Sequence, residues 1–259
     1  MYTKDYFKDK NIIITGASSG IGEALVEEFS KLDCRNIILL ARRKEKLEAI
    51  VNKIGKSNIK FYICDVTIKE KVNELYQKIC SEVGDIDIAF LNAGIKDTSI
   101  VQNINSKQIE DIFKTNFFGV VYWLESLLVD MQKENRGTIV VTSSLAAFRG
   151  LPGNGPYAAS KAAISALIES YQIDLMATNI KLILVSPYFV MTEMTDVEEK
   201  QNTLIWLTAQ KAAQKIIDGV KKGKPHIVFP WYFHLFMYIL RGMPSSLYCL
   251  FWRLLKREG

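Results

Sequence analysis

Tyr157 and Lys161 stand four residues apart in the run Pro156-Tyr157-Ala158-Ala159-Ser160-Lys161. In a helix opened by Pro156, that spacing puts the phenol and the amine on one face, a single turn apart. A free tyrosine titrates near pH ~10, too high for efficient acid–base work at neutral pH. An ammonium one turn away favours the phenolate, and the positive end of the same helix acts in the same direction. Such a phenol exchanges protons readily with an alcohol or a carbonyl oxygen. Taken alone the pair means little, because helices carry Tyr-x-x-x-Lys by chance.

A second stretch gives that chemistry a setting. Thr15-Gly16-Ala17-Ser18-Ser19-Gly20-Ile21-Gly22 lies between the apolar run Ile12-Ile13-Ile14 and a helix-patterned run from Glu23 to Lys31. Strand, glycine-rich turn and helix in that order make a phosphate cradle. The missing side chain at Gly16 allows a sharp turn, while Gly20 and Gly22 allow backbone to approach a pyrophosphate and the helix to pack close to the strand. Unpaired N–H groups at the helix start then face the anion. Gly16, Ser18, Ser19, Gly20, Ile21 and Gly22 are therefore candidate dinucleotide-binding residues. An ordinary tight turn between strand and helix is the alternative.

The next strand candidate ends Leu39-Leu40-Ala41-Arg42-Arg43. A cradle for NAD would place an acidic residue here to accept from the ribose 2′-OH. Two arginines suit a 2′-phosphate instead, so NADP(H) is the expected cofactor, with Arg42 the stronger candidate and Arg43 the weaker. Asp65 can accept from an adenine amino group while Val66 offers its amide. Both also suit the start of a helix at Ile68. Asn92-Ala93-Gly94 provides small residues against which a cofactor can lie, or a simple turn.

Elements that could position these groups alternate along the chain. Strand candidates are Asn11–Thr15, Asn36–Leu40, Ile59–Cys64, Ile86–Leu91, Thr138–Thr142, Lys181–Val185 and His226–Phe229. Helix candidates are Gly20–Leu32, Arg43–Ile54, Ile68–Val83, Ser106–Lys133, Pro156–Thr178 and Thr208–Lys222. The strands are near-continuous Ile/Leu/Val runs, as in a parallel sheet covered on both faces. The expected fold is α/β: a doubly wound, seven-stranded Rossmann-type sheet in one domain, with ligands at the carboxyl ends of its strands. Residues 1–230 would form this catalytic unit, and residues 231–259 a hydrophobic C-terminal segment.

Composition narrows the partners. The chain has 259 residues, 49% of them apolar, and a net charge of +5. Basic and acidic residues are interspersed, which argues against a nucleic-acid surface. Two histidines without a ligand-like cluster argue against a metal site. Cys34, Cys64, Cys80 and Cys249 lack paired spacing and read as thiols of a reducing compartment. The polar stretch Met1–Lys10 carries no secretory signal, so a cytoplasmic protein is expected.

Taken together, these motifs resemble the short-chain dehydrogenase/reductase family over about residues 10–230. The resemblance rests on TGxxxGxG at Thr15–Gly22, NAG at Asn92–Gly94, Asn116 in the long central helix, Ser144, and YxxxK at Tyr157–Lys161. It implies that Tyr157 is the general acid in reduction and the base in oxidation. Lys161 would lower the tyrosine pKa and bind the nicotinamide ribose. Ser144 would polarise the substrate carbonyl, and Asn116 would hold a water linking Lys161 to solvent. Pro187, Val190 and Thr192 match the family's Pro-Gly-x-Val-x-Thr and would contact the carboxamide, but Tyr188 replaces the glycine. Either the backbone there needs no positive φ or the loop runs differently. Tyr188 and Phe189 line the substrate pocket or pack in the core. The resemblance also implies a homodimer, or a tetramer, through Ser106–Lys133 and Pro156–Thr178.

The remaining segments bear on the substrate. Glu193–Leu207 occupies the family's variable lid and turns apolar at Leu204, Ile205, Trp206 and Leu207, which suggests a lipophilic carbonyl or secondary alcohol. Past Pro230 the chain is rich in aromatics, with Arg241, Arg253, Lys256 and Arg257 nearby. It is too short and interrupted to span a bilayer, and suits a peripheral membrane contact, a one-leaflet hairpin, or packing on the core or across a subunit interface. The expected activity is thus NADP-dependent carbonyl reduction. The alternative is a dinucleotide-binding regulator without turnover.

Overall fold

The computed structural model describes residues 6–96, 101–195 and 206–255. Seven parallel strands form its sheet: β1 (Asn11–Thr15), β2 (Asn36–Ala41), β3 (Ile59–Ile63), β4 (Ile88–Leu91), β5 (Gly137–Thr142), β6 (Ile180–Pro187) and, after two short strands, β9 (His226–Phe229). Their spatial order is β3-β2-β1-β4-β5-β6-β9, so the winding reverses between β1 and β4. That reversal opens a crevice at the strands' carboxyl ends.

The strand sequences explain the two-sided core. Side chains alternate across a sheet, so an uninterrupted apolar run feeds both faces. Ile12, Ile14, Ile37 and Leu39 enter one cluster with Leu25 and Phe29 of α1 (Gly20–Phe29) and Leu47 of α2 (Lys44–Ile54). Ala213 and Ile216 of α7 (Ala209–Lys221) close the same layer. Ile13, Ile38 and Leu40 point the other way, to Val72 and Ile79 of α3 (Lys69–Val83), and to Trp123 and Leu127 of α5 (Gly119–Glu134). Ile164 and Ile168 of α6 (Gly155–Asp174) complete that layer.

Most boundaries fall where the sequence places them, and the departures have local causes. The helix expected over Ser106–Lys133 divides into α4 (Ser106–Phe113), a π-helical turn at Lys114–Phe118, and α5. At the break Thr115 Oγ1 donates back to Asp111 O at 3.0 Å, and the carboxamide of Asn116 turns inward. α1 stops at Phe29, three residues early, as Ser30 Oγ bonds Glu27 O and Leu32 N closes a tight turn on Phe29 O. β4 begins at Ile88 because Asp87 serves a polar knot, accepting from Lys10 Nζ and Asn11 N. α6 begins at Gly155, one residue before Pro156, and ends at Asp174 rather than Thr178.

Two short strands, β7 (Val190–Met191) and β8 (Leu207–Thr208), pair in parallel and tie together the ends of the expected lid. Leu204, Ile205 and the rest of 196–205 lie outside the described residues, as do Lys256 and Arg257. Past Pro230 the chain forms α8 (Trp231–Gly242) and α9 (Ser245–Leu255). At 1.5 Å per residue each is roughly 16–18 Å long, well short of a bilayer core of about 30 Å. Among the described residues one helical stretch, Ser106–Glu134, is long and apolar enough to cross a membrane, but its Trp123, Leu124 and Leu127 lie in the protein core.

Candidate active site

One crevice of about 490 Å³ runs along the carboxyl ends of the strands and brings the sequence-predicted residues together. Gly16, Ser18, Ser19, Gly20, Ile21, Arg42, Arg43, Asp65, Val66, Asn92, Ala93, Gly94, Ser144, Tyr157, Lys161, Pro187, Val190 and Thr192 all line it. Gly22 and Asn116 stand behind its wall. The two Cys residues whose thiols burial pushes up to about 12, Cys34 and Cys64, are buried, and nothing among the described residues gathers into a metal-binding cluster.

The glycine turn is close-packed against the end of β4. A Cβ on Gly16, whose φ is +66°, would lie 2.8 Å from Ala93 Cα, and one on Gly22 would lie 2.2 Å from Gly16 O. A Cβ on Gly94 would sit 3.3 Å from Asn116 Oδ1 and 3.5 Å from Lys161 Nζ. Glycine at 16 and 22 therefore lets this turn close on Ala93, and Gly94 leaves the space before Asn116 and Lys161 open. The cradle fits a dinucleotide: bare backbone at the start of α1, an open floor at Gly94, and cationic side chains at the far end.

At that far end Arg42 is exposed, and Ala41 holds no carboxylate. Arg43 is fastened: Nε and Nη2 donate to Ser18 Oγ at 3.2 and 3.0 Å, and Nη2 donates to Ser19 Oγ at 2.6 Å. Asp65 Oδ1 accepts from Thr67 N at 3.0 Å and from Thr67 Oγ1 at 2.8 Å. The carboxylate thus shapes its own turn while it lines the crevice.

At the opposite end α6 carries Tyr157 and Lys161. Lys161 Nζ donates to Thr142 O at 2.8 Å and lies 5.9 Å from the centre of the Tyr157 ring. The lysine side chain is buried, and desolvation pulls its ammonium down to about 8. It keeps its proton at pH 7 but stands close to losing it. Of the adjacent serines, Ser143 is buried and shares its hydroxyl with Ser165 Oγ at 2.7 Å and Lys161 O. Ser144 opens a short 3-10 turn over Leu145–Ala147, accepts from Ala146 N at 3.1 Å, and lines the crevice. Asn116 is fully buried in the π-helical turn: Oδ1 accepts from Ile95 N at 2.8 Å, and Nδ2 donates to Ile95 O and to Ser160 Oγ.

Tyr188, in place of the family's glycine, has ordinary backbone, since among the described residues the non-glycine ones with positive φ are Asp9 and Asn135. Its N–H donates to Phe229 O at 3.0 Å, and its ring lines the crevice while stacking on Phe233 of α8, 3.6 Å between centroids. The ring is part of the crevice wall and is packed on its neighbours as well. The inner side of α8, through Met237 and Leu240, also packs on Leu145 beside Ser144.

Several participants escaped the sequence reading. Thr15 Oγ1 accepts from Asn92 N at 3.0 Å and Ala93 N at 3.1 Å, and Thr142 Oγ1 donates to Asn92 Oδ1 at 3.2 Å. Thr15 heads the TGxxxGxG motif but was read there only as part of the turn; for Thr142, its place at the end of an apolar strand was the one available signal. Glu193, paired with Arg43, gave none, because its partner is 150 residues away.

Comparison with known proteins identifies the family. Residues 10–203 match the family model described as short chain dehydrogenase. An uncharacterised oxidoreductase of Staphylococcus saprophyticus is 34% identical over 191 residues, covering 73% of this chain and 77% of that protein. A short-chain dehydrogenase/reductase from Burkholderia phymatum, solved with NAD, superposes with a TM-score of 0.82 at 21% identity, covering 90% of this chain and 92% of its own. ElxO with NADP bound gives 0.77 at 26% identity, covering 85% and 97%. The chain belongs to the short-chain dehydrogenase/reductase family. It is an NAD(P)-dependent oxidoreductase, and a nicotinamide dinucleotide is its cofactor.

Burial of Lys161 has a measurable signature. Its pKa in the folded chain, about 8, lies below the ordinary 10.5, so between those values the unfolded chain binds the extra proton and stability rises with pH. The cost of burying the charge is fully present below pH 8 and disappears towards 10.5. Lys161→Met should therefore melt higher than the parent at pH 7, with the gap closing as pH rises through that window. Thermal melts across pH that show a constant gap would contradict this origin.

Proposed function

We propose that the protein is an NADP(H)-dependent carbonyl reductase acting on a lipophilic ketone or aldehyde. The observation that carries this reading is the meeting of Ser144, Tyr157 and Lys161 in the same crevice as the glycine cradle and Arg42. Bound there, the dinucleotide would supply or accept a hydride at the carbinol carbon. Tyr157 gives its phenolic proton to the carbonyl oxygen in reduction and takes it back in oxidation. Lys161, an ammonium at neutral pH, stabilises the phenolate that results and holds the cofactor's ribose. The Ser144 hydroxyl donates to the substrate oxygen as charge gathers on it. Asn116 acts from behind: the gap at Gly94, between its Oδ1 and Lys161 Nζ, is where a relay water would sit. Val190 and Thr192, beside Pro187, hold the carboxamide.

Arg42 and Arg43, with Ala41 in the place of an acid, support a phosphorylated cofactor. Leu151, Ala146, Tyr188, Phe189 and Met194 around the catalytic end support an apolar substrate. In the test, Tyr157→Phe should lower NADPH-dependent reduction of medium-chain ketones by roughly two to four orders of magnitude while NADPH binding stays within a fewfold. Arg42→Ala should weaken NADPH about tenfold and leave NADH nearly untouched. Equal affinities for the two cofactors, insensitive to Arg42, would refute the phosphate preference.

Two copies pair through α5 and α6 in this reading. Val129 is exposed on the first and Phe118 in the π-helical turn just before it, and α6 presents small residues such as Ala159 and Ala166. Light scattering on the eluted protein should return twice the chain mass or a multiple of it, and a monomer would end the proposal.

The C-terminal helices serve as a peripheral membrane contact. While the inner side of α8 packs on the crevice wall, its outer side bears Trp231 (74% exposed), Leu235 and Ile239, and α9 adds Leu247, Leu250 and Leu254. Arg241 and Arg253 lie beside this apolar surface, as cations beside anionic headgroups would. The parent should co-sediment with anionic liposomes, and Leu235→Glu with Ile239→Glu should abolish this. A parent indifferent to lipid would dismiss the contact.

A further inference from the structure

A carboxylate reaches the phosphate end of the crevice from its far bank. Glu193 leaves β7 directly after Thr192, and Thr192 is seated on the glycine turn: a Cβ on Gly20 would come within 2.9 Å of Thr192 Cγ2. From there Glu193 Oε2 accepts from Arg43 Nη1 at 2.7 Å, and Oε1 accepts from Lys46 Nζ. Arg43 is at the same moment bonded to Ser18 and Ser19, so one guanidinium joins the cradle loop, the start of α2 and the lid's first residues. Glu193 and Arg43 both line the crevice.

An arginine fork receives a carboxylate or a phosphate in the same geometry, and one occupant excludes the other from the shared N–H groups. We propose that Glu193 is a latch that competes with the cofactor's 2′-phosphate for Arg43 and Lys46. This rests on the NADP(H) reading above. A phosphorylated dinucleotide enters by displacing the carboxylate, whereas NAD(H), with a neutral hydroxyl at that position, offers the cations nothing in exchange. Glu193 thereby tempers the preference that the arginines create. Displacement also releases the chain after Thr192 from its tie to α2, linking occupancy of the phosphate end to the freedom of the lid's first residues.

Acidity alone does not open the latch. The hydrogen bonds from Lys46 and Arg43 hold the Glu193 carboxyl down at about 2, so it stays charged throughout the neutral range. A competing anion is the remaining key. Glu193 is about half exposed, its side chain at 53%, so solvent screens the pair and its effect is a modest factor.

The test is binding, not turnover. The full-length parent, Glu193→Gln and Glu193→Ala are titrated with NADP+, NAD+ and adenosine 2′-monophosphate by calorimetry, at low and high salt. Both variants should bind NADP+ and the 2′-monophosphate roughly threefold to tenfold more tightly than the parent at low salt, with NAD+ within about twofold. High salt should erase the difference. Unchanged or weaker NADP+ binding overturns the latch, and so does equal tightening of NAD+, which would place the obstruction elsewhere. A parent that prefers NAD+ to NADP+ refutes the cofactor reading separately. The 2′-monophosphate then decides for the latch if the variants tighten it, and against it if they do not.

Discussion

The hydroxyl of Thr15 holds the crevice together. It accepts from two successive amides, Asn92 N and Ala93 N, where β1 and β4 part to opposite sides of the winding. Parallel strands that diverge at a reversal leave backbone donors without ladder partners, and buried donors need one. Thr15 supplies it, and in doing so sets the distance between the glycine turn and Asn92–Gly94. That spacing is so close that a side chain at Gly16 would meet the Ala93 backbone. The cofactor floor follows from this one satisfied hydroxyl and the absence of a methyl group opposite it.

From Thr15 the bonding passes to the chemistry without a break. Asn92 hangs from Thr15 by its amide and receives the Thr142 hydroxyl on its side chain. The carbonyl of Thr142 in turn holds Lys161 Nζ. Three neighbouring strand ends, β1, β4 and β5, thus form a rail from the phosphate cradle to the catalytic helix. A second chain runs behind it, from Ile95 through Asn116 to Ser160 and the carbonyl of Tyr157. The π-helical turn is what lets Asn116 face inward there. Precise placement of a proton donor depends on such backing, since a small displacement of the reacting groups is costly.

The two ends of the crevice treat charge differently. Lys161 is buried and desolvated, so its ammonium is weakened and responsive. Arg42, Arg43 and Lys46 face solvent and suit capture of an anion, although Arg43 and Lys46 are shared with Glu193. The C-terminal helices add a third surface. Their inner side packs behind Tyr188, which lines the crevice, and against Leu145 next to Ser144, while their outer side remains apolar and exposed.

Much of this was legible in the linear chain. Ile/Leu/Val runs marked seven strands covered on both faces, and their alternation with helices marked a doubly wound sheet, since right-handed crossovers place helices on both sides. Glycines at 16, 20 and 22, and the Tyr157–Lys161 spacing, marked the crevice, since local backbone and helix geometry depend on near neighbours alone. What folding alone decided involves residues far apart in sequence. Composition could not show that Asn116 turns inward at a π-helical break, or that Tyr188 stacks on a helix 45 residues on. Nor could it show that Glu193 closes on Arg43, because such pairings are made by the path of the chain through space and leave no periodic trace along it.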